Sequence, residues 1–272
     1  MQPMLKALIV LLTLSISINI SANQQLKRSE FEFAHTLTFN SKVLKQTRSV
    51  NIYLPPSYTQ NKQQTYPIIY LLDGSKDEDF IHIAGLVQFA NFPWLNILPE
   101  TIVVGIENVD RKHDFTTPSD NALDQKELPT HGGAMRFIDF ISKELQPMIK
   151  QQYRVNETST LIGQSLGGLL ATEILYNHSA LFDHYVIISP SLWWNDEALL
   201  SQEFNPPHLP KSVYIGVGKE GEQMERIAKQ LHEKVTPTLH DKTQLKFGYF
   251  PELNHGDTLH LAVYDAFKKI TY

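Results

Sequence analysis

The run Leu161-Ile162-Gly163-Gln164-Ser165-Leu166-Gly167-Gly168-Leu169 joins an apolar segment, Thr158 to Ile162, to an amphipathic one that begins at Leu169. Gly-x-Ser-x-Gly between such segments fits a sharp strand-to-helix turn that thrusts a serine out at the end of a sheet. A Cβ at Gly163 or Gly167 is expected to collide with neighbouring backbone when the serine is held in that strained turn. Ser165 is therefore the candidate nucleophile, and the rest of the chain should supply a base, an orienting acid and an oxyanion site. The alternative is a glycine-rich turn that happens to contain serine, so the surrounding sequence decides.

Outward from this stretch the chain alternates between apolar runs and helical patterns. Phe31 to Asn40 and Ser49 to Leu54 read as strands, the second ended by Pro55-Pro56. Tyr66 to Leu72 is continuously apolar, as a strand buried on both faces should be, and stops at Asp73-Gly74-Ser75. A helical stretch follows to about Phe89, then a strand from Thr101 to Ile106 and a long polar loop from Glu107 to Leu128. His131-Gly132-Gly133 opens a helix with Phe137, Ile138, Ile141, Leu145 and Met148 at helical spacing. After the Ser165 turn come a helix to about Asn177 and strands Tyr185 to Ile188 and Val213 to Val217. The chain ends in a helix Glu222 to Glu233, a strand Leu245 to Phe250 and a helix His255 to Lys269. This alternation predicts a three-layer α/β fold, a mostly parallel sheet with helices on both faces and an antiparallel edge from the first two strands. No repeat, low-complexity tract or linker interrupts it.

The 272 residues suffice for one large α/β domain, and 42% hydrophobic with 19% charged residues is the composition of an ordinary globular protein. A net charge of -5 without blocks of basic residues gives no footprint for nucleic acid. The 11 histidines are scattered and show no metal-ligand spacing, so neither a metal nor a cofactor is expected. Lys6, the apolar run Ala7 to Ile20 and the small residues Ser21-Ala22 read as a signal peptide, residues 1–22, cut after Ala22. The mature chain, 23–272, is then a single exported domain without a membrane span, periplasmic or secreted. With no cysteine there is no lipid-modified cysteine and no disulfide, which suits a bacterial periplasm.

In sheets of this kind ligands bind outside the carboxyl ends of the parallel strands. A serine hydroxyl needs an adjacent base, and in this topology the order is serine, acid, histidine. His255, flanked by Asn254 and Gly256 after the last strand, sits where the base belongs. His260 falls one turn into the following helix, and His178 and His184 lie at the other edge of the sheet. The acid belongs after Val213 to Val217, where Glu220 comes first and Glu222 is the runner-up; a Ser-His dyad without a close acid stays open. The oxyanion requires preorganised backbone donors. The amide of Leu166 is one, and that of Ser75 or Gly74 is the second.

These blocks together resemble the esterase (esterase D-like) family of α/β-hydrolases, which includes siderophore esterases of the enterobactin and bacillibactin type. That family is related to S-formylglutathione hydrolases, feruloyl esterases and mycolyltransferases. The similarity runs from about Val50 to Phe267. It rests on Tyr66 to Gly74, Val103 to Asn108 with Arg111 to Pro118, Phe140 to Tyr153, Ile162 to Leu169, Ser189-Pro190-Ser191-Leu192-Trp193-Trp194, and Asn254-His255-Gly256. It implies an α/β-hydrolase fold, Ser165 as nucleophile and His255 as base, and leaves the acid variable. The family loop carries two basic residues before its aspartate, whereas here Arg111 is followed by Lys112-His113-Asp114. Trp193 and Trp194 are candidates for a substrate-pocket wall, with one of the pair expected in the core. Arg111 is a candidate for holding an anionic substrate group, or for pairing with Asp114. The expected function is an exported serine esterase acting on carboxylic esters, with siderophore trilactones leading. The alternatives are a generic carboxyl, feruloyl or acetyl esterase, an acyltransferase, or a non-catalytic binding protein that retains the fold.

Overall fold

The computed structural model describes residues 26–239 and 242–270; the expected signal peptide, 1–22, lies outside them. Eight strands form one sheet in the order β1-β2-β4-β3-β5-β6-β7-β8. They are β1 His35–Ser41, β2 Gln46–Tyr53, β3 Tyr66–Leu71, β4 Ile102–Ile106, β5 Val155–Gln164, β6 His184–Ile188, β7 Ser212–Gly218 and β8 Gln244–Phe250. β1 pairs with β2 and β2 with β4 antiparallel, while every pair from β4 through β8 is parallel. The predicted edge hairpin and parallel core are both present. β1 starts four residues later than the sequence pattern suggested, at His35 instead of Phe31.

Alternation along the central strands divides the interior into two cores. Ile68, Tyr70 and Leu72 face one core, built with Phe137, Leu170, Ile174, Ile227 and Leu231. Ile69 and Leu71 face the other, built with Ile83, Val87, Val263 and Phe267. The helices Phe80–Ala90 and Thr258–Lys269 therefore cover one face of the sheet. Ala134–Phe140, Leu166–Asn177 and Glu222–Leu239 cover the other. Continuous burial of β3, β4 and β6 explains their unbroken apolar sequences. From Phe33 onward the described residues cluster as one compact unit. None of the described helices is long and apolar enough to cross a membrane.

Several segments differ from the sequence reading, each for a local reason. The Glu107 to Leu128 loop contains two short helices, Arg111–Phe115 and Ala122–Glu127. Asp110 caps the first through the His113 amide, and Asn121 caps the second through the amides of Leu123 and Asp124. The helix after Gly133 passes through a π-helical turn, Ile141–Leu145, before Gln146–Gln152. Pro147 has no N–H to give to the preceding turn, so the backbone rearranges there. The helix from Glu222 continues past Glu233 to Leu239, because Leu231, Val235 and Leu239 stay in the core across Pro237. The last helix starts at Thr258 and not at His255, since Asn254 and Asp257 bind each other in a turn ahead of it.

A buried ion pair ties β2 to the Arg111–Phe115 segment. Arg48 Nη1 lies 2.7 Å from Asp114 Oδ2, with both side chains almost fully enclosed. The Arg48 guanidinium also sits over the rings of Phe137 and Phe140, at 5.2 and 5.6 Å. Removing one partner leaves an uncompensated buried charge. Asp114→Ala is therefore expected to lower the unfolding free energy by about 3–5 kcal/mol, measured by urea denaturation; an unchanged midpoint would show the pair to be dispensable.

Candidate active site

The sheet order reverses between β3 and β5, and the ends of these two strands carry the Asp73-Gly74-Ser75 turn and the Ser165 elbow. This is the position where parallel α/β sheets open a crevice. Ser165 sits at φ 59° and ψ -120°, a conformation L residues rarely adopt. Four hydrogen bonds brace it and the turns around it. Its amide donates to Ile188 O at 3.1 Å, and its carbonyl accepts from the amides of Leu169 and Ser191 at 2.9 and 3.0 Å. The Ser189 amide donates to Gly216 O at 2.7 Å, fixing the neighbouring strand end.

The two elbow glycines differ in what they permit. A Cβ on Gly163 would lie 2.4 Å from Gly167 O, a backbone collision. At Gly167 the nearest atom is instead the Asp73 carboxylate oxygen at 3.3 Å, so the expected collision with backbone does not occur there.

His255 and Glu220 meet on this side of the sheet. His255 Nδ1 lies 2.5 Å from Glu220 Oε2, and Gln164 Nε2 donates to His255 O at 2.6 Å, tying the histidine loop to the residue before Ser165. The second Glu220 oxygen accepts from Ser189 Oγ at 2.5 Å and from the Gly218 amide at 2.9 Å. Burial pushes the Glu220 carboxyl up, but the hydrogen bonds from His255, Ser189 and Gly218 more than offset it, so its pKa falls below the usual value. Glu222 is exposed on the first turn of its helix and does not reach the histidine. Ser165 Oγ rests 3.3 Å from Ser191 Oγ, and no Ser165–His255 hydrogen bond forms among the described residues. Hydrogen bonds between such groups are often long before substrate binds.

The amides expected to bind an oxyanion are separated by their existing partners. Gly74 N donates to Ile106 O at 2.9 Å and is occupied. Ser75 N and Leu166 N have no acceptor among the described residues. The Gly74 position itself tolerates no side chain, since a Cβ would lie 2.3 Å from the Gly105 backbone.

The remaining candidates divide. Trp194 is buried, donates Nε1–H to Thr117 O at 3.1 Å, and meets His131 edge-on at 5.5 Å. It also borders a 160 Å³ pocket with Phe115, Leu169 and Leu199. Trp193 is half-buried and packs against the same core at 6.1 Å from Trp194. Arg111 does not pair with Asp114, which is taken by Arg48. It forms a two-pronged contact with Asp73, Nε to Oδ1 at 2.6 Å and Nη2 to Oδ2 at 2.8 Å. His260 faces away with His82, Phe89 and Tyr264, along a 470 Å³ groove between the helices Phe80–Ala90 and Thr258–Lys269.

Sequence reasoning missed three contributors. Ser189 orients Glu220, Ser191 holds the resting Ser165 hydroxyl, and Asp73 receives Arg111. The signal for the first two was present in Ser189-Pro190-Ser191 at a strand end, but nothing in the sequence said which way those hydroxyls point.

The chain is similar to known proteins along most of its length. The family described as "Putative esterase" matches residues 41–261. The chain is 26% identical over 245 residues to the ferri-bacillibactin esterase BesA of Bacillus subtilis, covering 82% of this chain and 85% of the relative. It is similar to an IroE-like serine hydrolase structure from Shewanella oneidensis, 31% identical with a TM-score of 0.73, covering 86% of this chain and 79% of the other. It is also similar to the BES protein of Bacillus cereus, 27% identical with a TM-score of 0.77, covering 92% of this chain and all of that one. With an eight-stranded sheet of this topology and a family match across most of its length, the chain belongs to the Putative esterase family of α/β-hydrolases and is an ester-hydrolysing enzyme.

Proposed function

We propose that the chain is an exported serine esterase that cleaves carboxylic esters through an acyl-enzyme on Ser165, with siderophore trilactones as the leading substrate class. The observation that carries the chemistry is the His255–Glu220 pair on the sheet side where the strained elbow holds Ser165. In the reaction, Ser165 Oγ rotates from Ser191 and attacks the ester carbonyl carbon while His255 Nε2 takes its proton. The carbonyl oxygen becomes an oxyanion, which the free amides of Leu166 and Ser75 stabilise by hydrogen bonds. Collapse breaks the ester C–O bond, and the imidazolium gives its proton to the departing alcohol. Water, deprotonated by His255, then attacks the acyl-serine carbonyl; the acyl C–Oγ bond breaks, the acid leaves, and the imidazolium returns the proton to Ser165 Oγ. Throughout, Glu220 accepts a hydrogen bond from His255 Nδ1–H and balances the charge on the imidazolium; its lowered pKa keeps it ionised at neutral pH.

The substrate class is supported by the relative named as a ferri-bacillibactin esterase, and export by the Lys6 to Ala22 sequence pattern. Trp193, half-buried two residues after Ser191, is the tryptophan of the pair left to contact a bound acyl group. A generic carboxyl, feruloyl or acetyl esterase on the same catalytic pair is the second reading.

Four measurements test this function. Ser165→Ala is expected to reduce release of p-nitrophenol from p-nitrophenyl acetate or butyrate by at least about a thousandfold. A fluorophosphonate probe should label the wild type at Ser165 and leave the variant unlabelled; labelling elsewhere overturns the assignment. A mass-spectrometric panel of trilactone siderophores, feruloyl esters, acetylated sugars and thioesters then ranks the substrates. For the acid, Glu220→Gln is expected to lower kcat at least about tenfold more than Glu222→Gln. Equal small losses in the two variants would mean that His255 works without an orienting carboxylate.

A further inference from the structure

We infer that Arg111 is a positioning residue that locks the oxyanion turn to the nucleophile elbow and cancels a carboxylate placed beside it; this deepens the Ser165 reading and rests on it. The turn Asp73-Gly74-Ser75 supplies one of the two free amides, and its first residue is in an unusual state. Asp73 has φ 55°, in the left-handed region, and its side chain is buried. Its carboxylate receives Arg111 through both oxygens and Asn108 Nδ2 at 2.6 Å. The same Arg111 Nη2 reaches across to Gln164 O at 3.3 Å, the residue immediately before Ser165. One guanidinium therefore bridges the ends of β3 and β5, the two strands whose termini carry Ser75 N and Leu166 N.

The contact between turn and elbow is close. Asp73 Oδ2 is the nearest atom to a Cβ built on Gly167, two residues after the nucleophile. A bare carboxylate at that point would repel the negative charge that develops on the substrate oxygen, where the low local dielectric makes such a field costly. Arg111 removes that field. Burial works against its own charge, but the Asp73 carboxylate, with Glu78 and Asp79 nearby, holds the guanidinium in its protonated form.

The same geometry argues against Arg111 as a clamp for a substrate anion. Its Nε and Nη2 edge is committed to Asp73, and an incoming carboxylate would have to displace a buried one that also binds Asn108. A lysine cannot replace it, since an ammonium lacks the planar fork that engages both oxygens while reaching Gln164.

The experiment compares wild type, Arg111→Ala, Arg111→Lys, Asp73→Asn and the Arg111→Ala/Asp73→Asn double variant. Rates are read on a neutral ester, p-nitrophenyl acetate, and on an anionic one, the mono-p-nitrophenyl ester of glutaric acid. Each rate is normalised to sites titrated by a fluorophosphonate, so that loss of folded protein is not counted. Asparagine is chosen because it accepts the left-handed backbone that Asp73 adopts. Arg111→Ala is expected to lower kcat about 10- to 100-fold on both esters, with KM changed less than about threefold. Arg111→Lys should lose nearly as much. The double variant should be faster than Arg111→Ala alone, because the unmasked charge has gone. A normal kcat with KM raised only for the glutarate ester would overturn the inference in favour of substrate binding. Normal rates per titrated site in every variant would reduce Arg111 to a scaffold contact. The nucleophile reading is separable: it fails if Ser165→Ala keeps the wild-type rate, whereas an inactive Ser165→Ala beside a fully active Arg111→Ala sinks this inference alone.

Discussion

The site depends on holding Ser165 where its backbone does not want to be. A non-glycine residue in that region of φ and ψ costs about 1–3 kcal/mol and persists only when its surroundings over-determine it. The surroundings here are the ends of neighbouring strands. Asp73, Ser165 and Ser189, at the ends of β3, β5 and β6, have φ values of 55°, 59° and 44°. Three adjacent strands thus finish in the same strained sense at the carboxyl end of the sheet. Ile188 O and the Ser191 amide bind the elbow from β6 and the loop after it, and Gly216 O binds Ser189 from β7. The strain is shared across a row of strands, and the rigid parallel core beneath supplies the resistance.

Charge is arranged around that end in two layers. Deeper in, Arg48 and Asp114 form an enclosed pair that anchors the Arg111–Phe115 helix to β2. That anchoring sets where Arg111 begins, and hence whether its guanidinium can reach Asp73 and Gln164 together. On the other flank, Glu220 divides its oxygens, one for His255 and one for Ser189 with the Gly218 amide. Its side chain is 1% exposed while that of His255 is 46% exposed, so the carboxylate is fixed from below and the imidazole is left reachable from solvent. The proposed roles need that asymmetry: an orienting carboxylate is held still, and a base has to meet substrate.

Much of this was legible in the sequence because the chain repeats simple signals. Continuous apolar runs marked the central strands, the Gly-x-Ser-x-Gly turn marked the elbow, and position alone singled out His255 from 11 histidines. What stayed illegible were choices between chemically equal neighbours. Arg111 had Asp114 three residues away on its own helix, yet it binds Asp73, 38 residues distant, because Asp114 faces inward to Arg48. A helix of that length turns residues three apart toward similar sides, and only the sheet tells which of them is claimed from outside. The two tryptophans were likewise indistinguishable in sequence. Trp194 went inward because Thr117 O was there to accept its indole N–H.

The different positions of Glu220 and Glu222 follow from the same logic at finer scale. β7 ends at Gly218, where a Cβ would strike Thr258 Oγ1 and Leu253 O, so the chain passes tightly against the loop that carries His255. The Lys219 amide donates to Leu253 O at 2.6 Å, which fixes that passage. Glu220 comes next, while the backbone is still pressed against the histidine loop, and its side chain folds back onto the Gly218 amide. Gly221, at φ 92°, then turns the chain away into the helix. Glu222 lies beyond that turn, at the amino end of the helix, where its charge meets the helix dipole and solvent instead. Two glutamates separated by one left-handed glycine have therefore been sent to different tasks by the direction of the backbone between them.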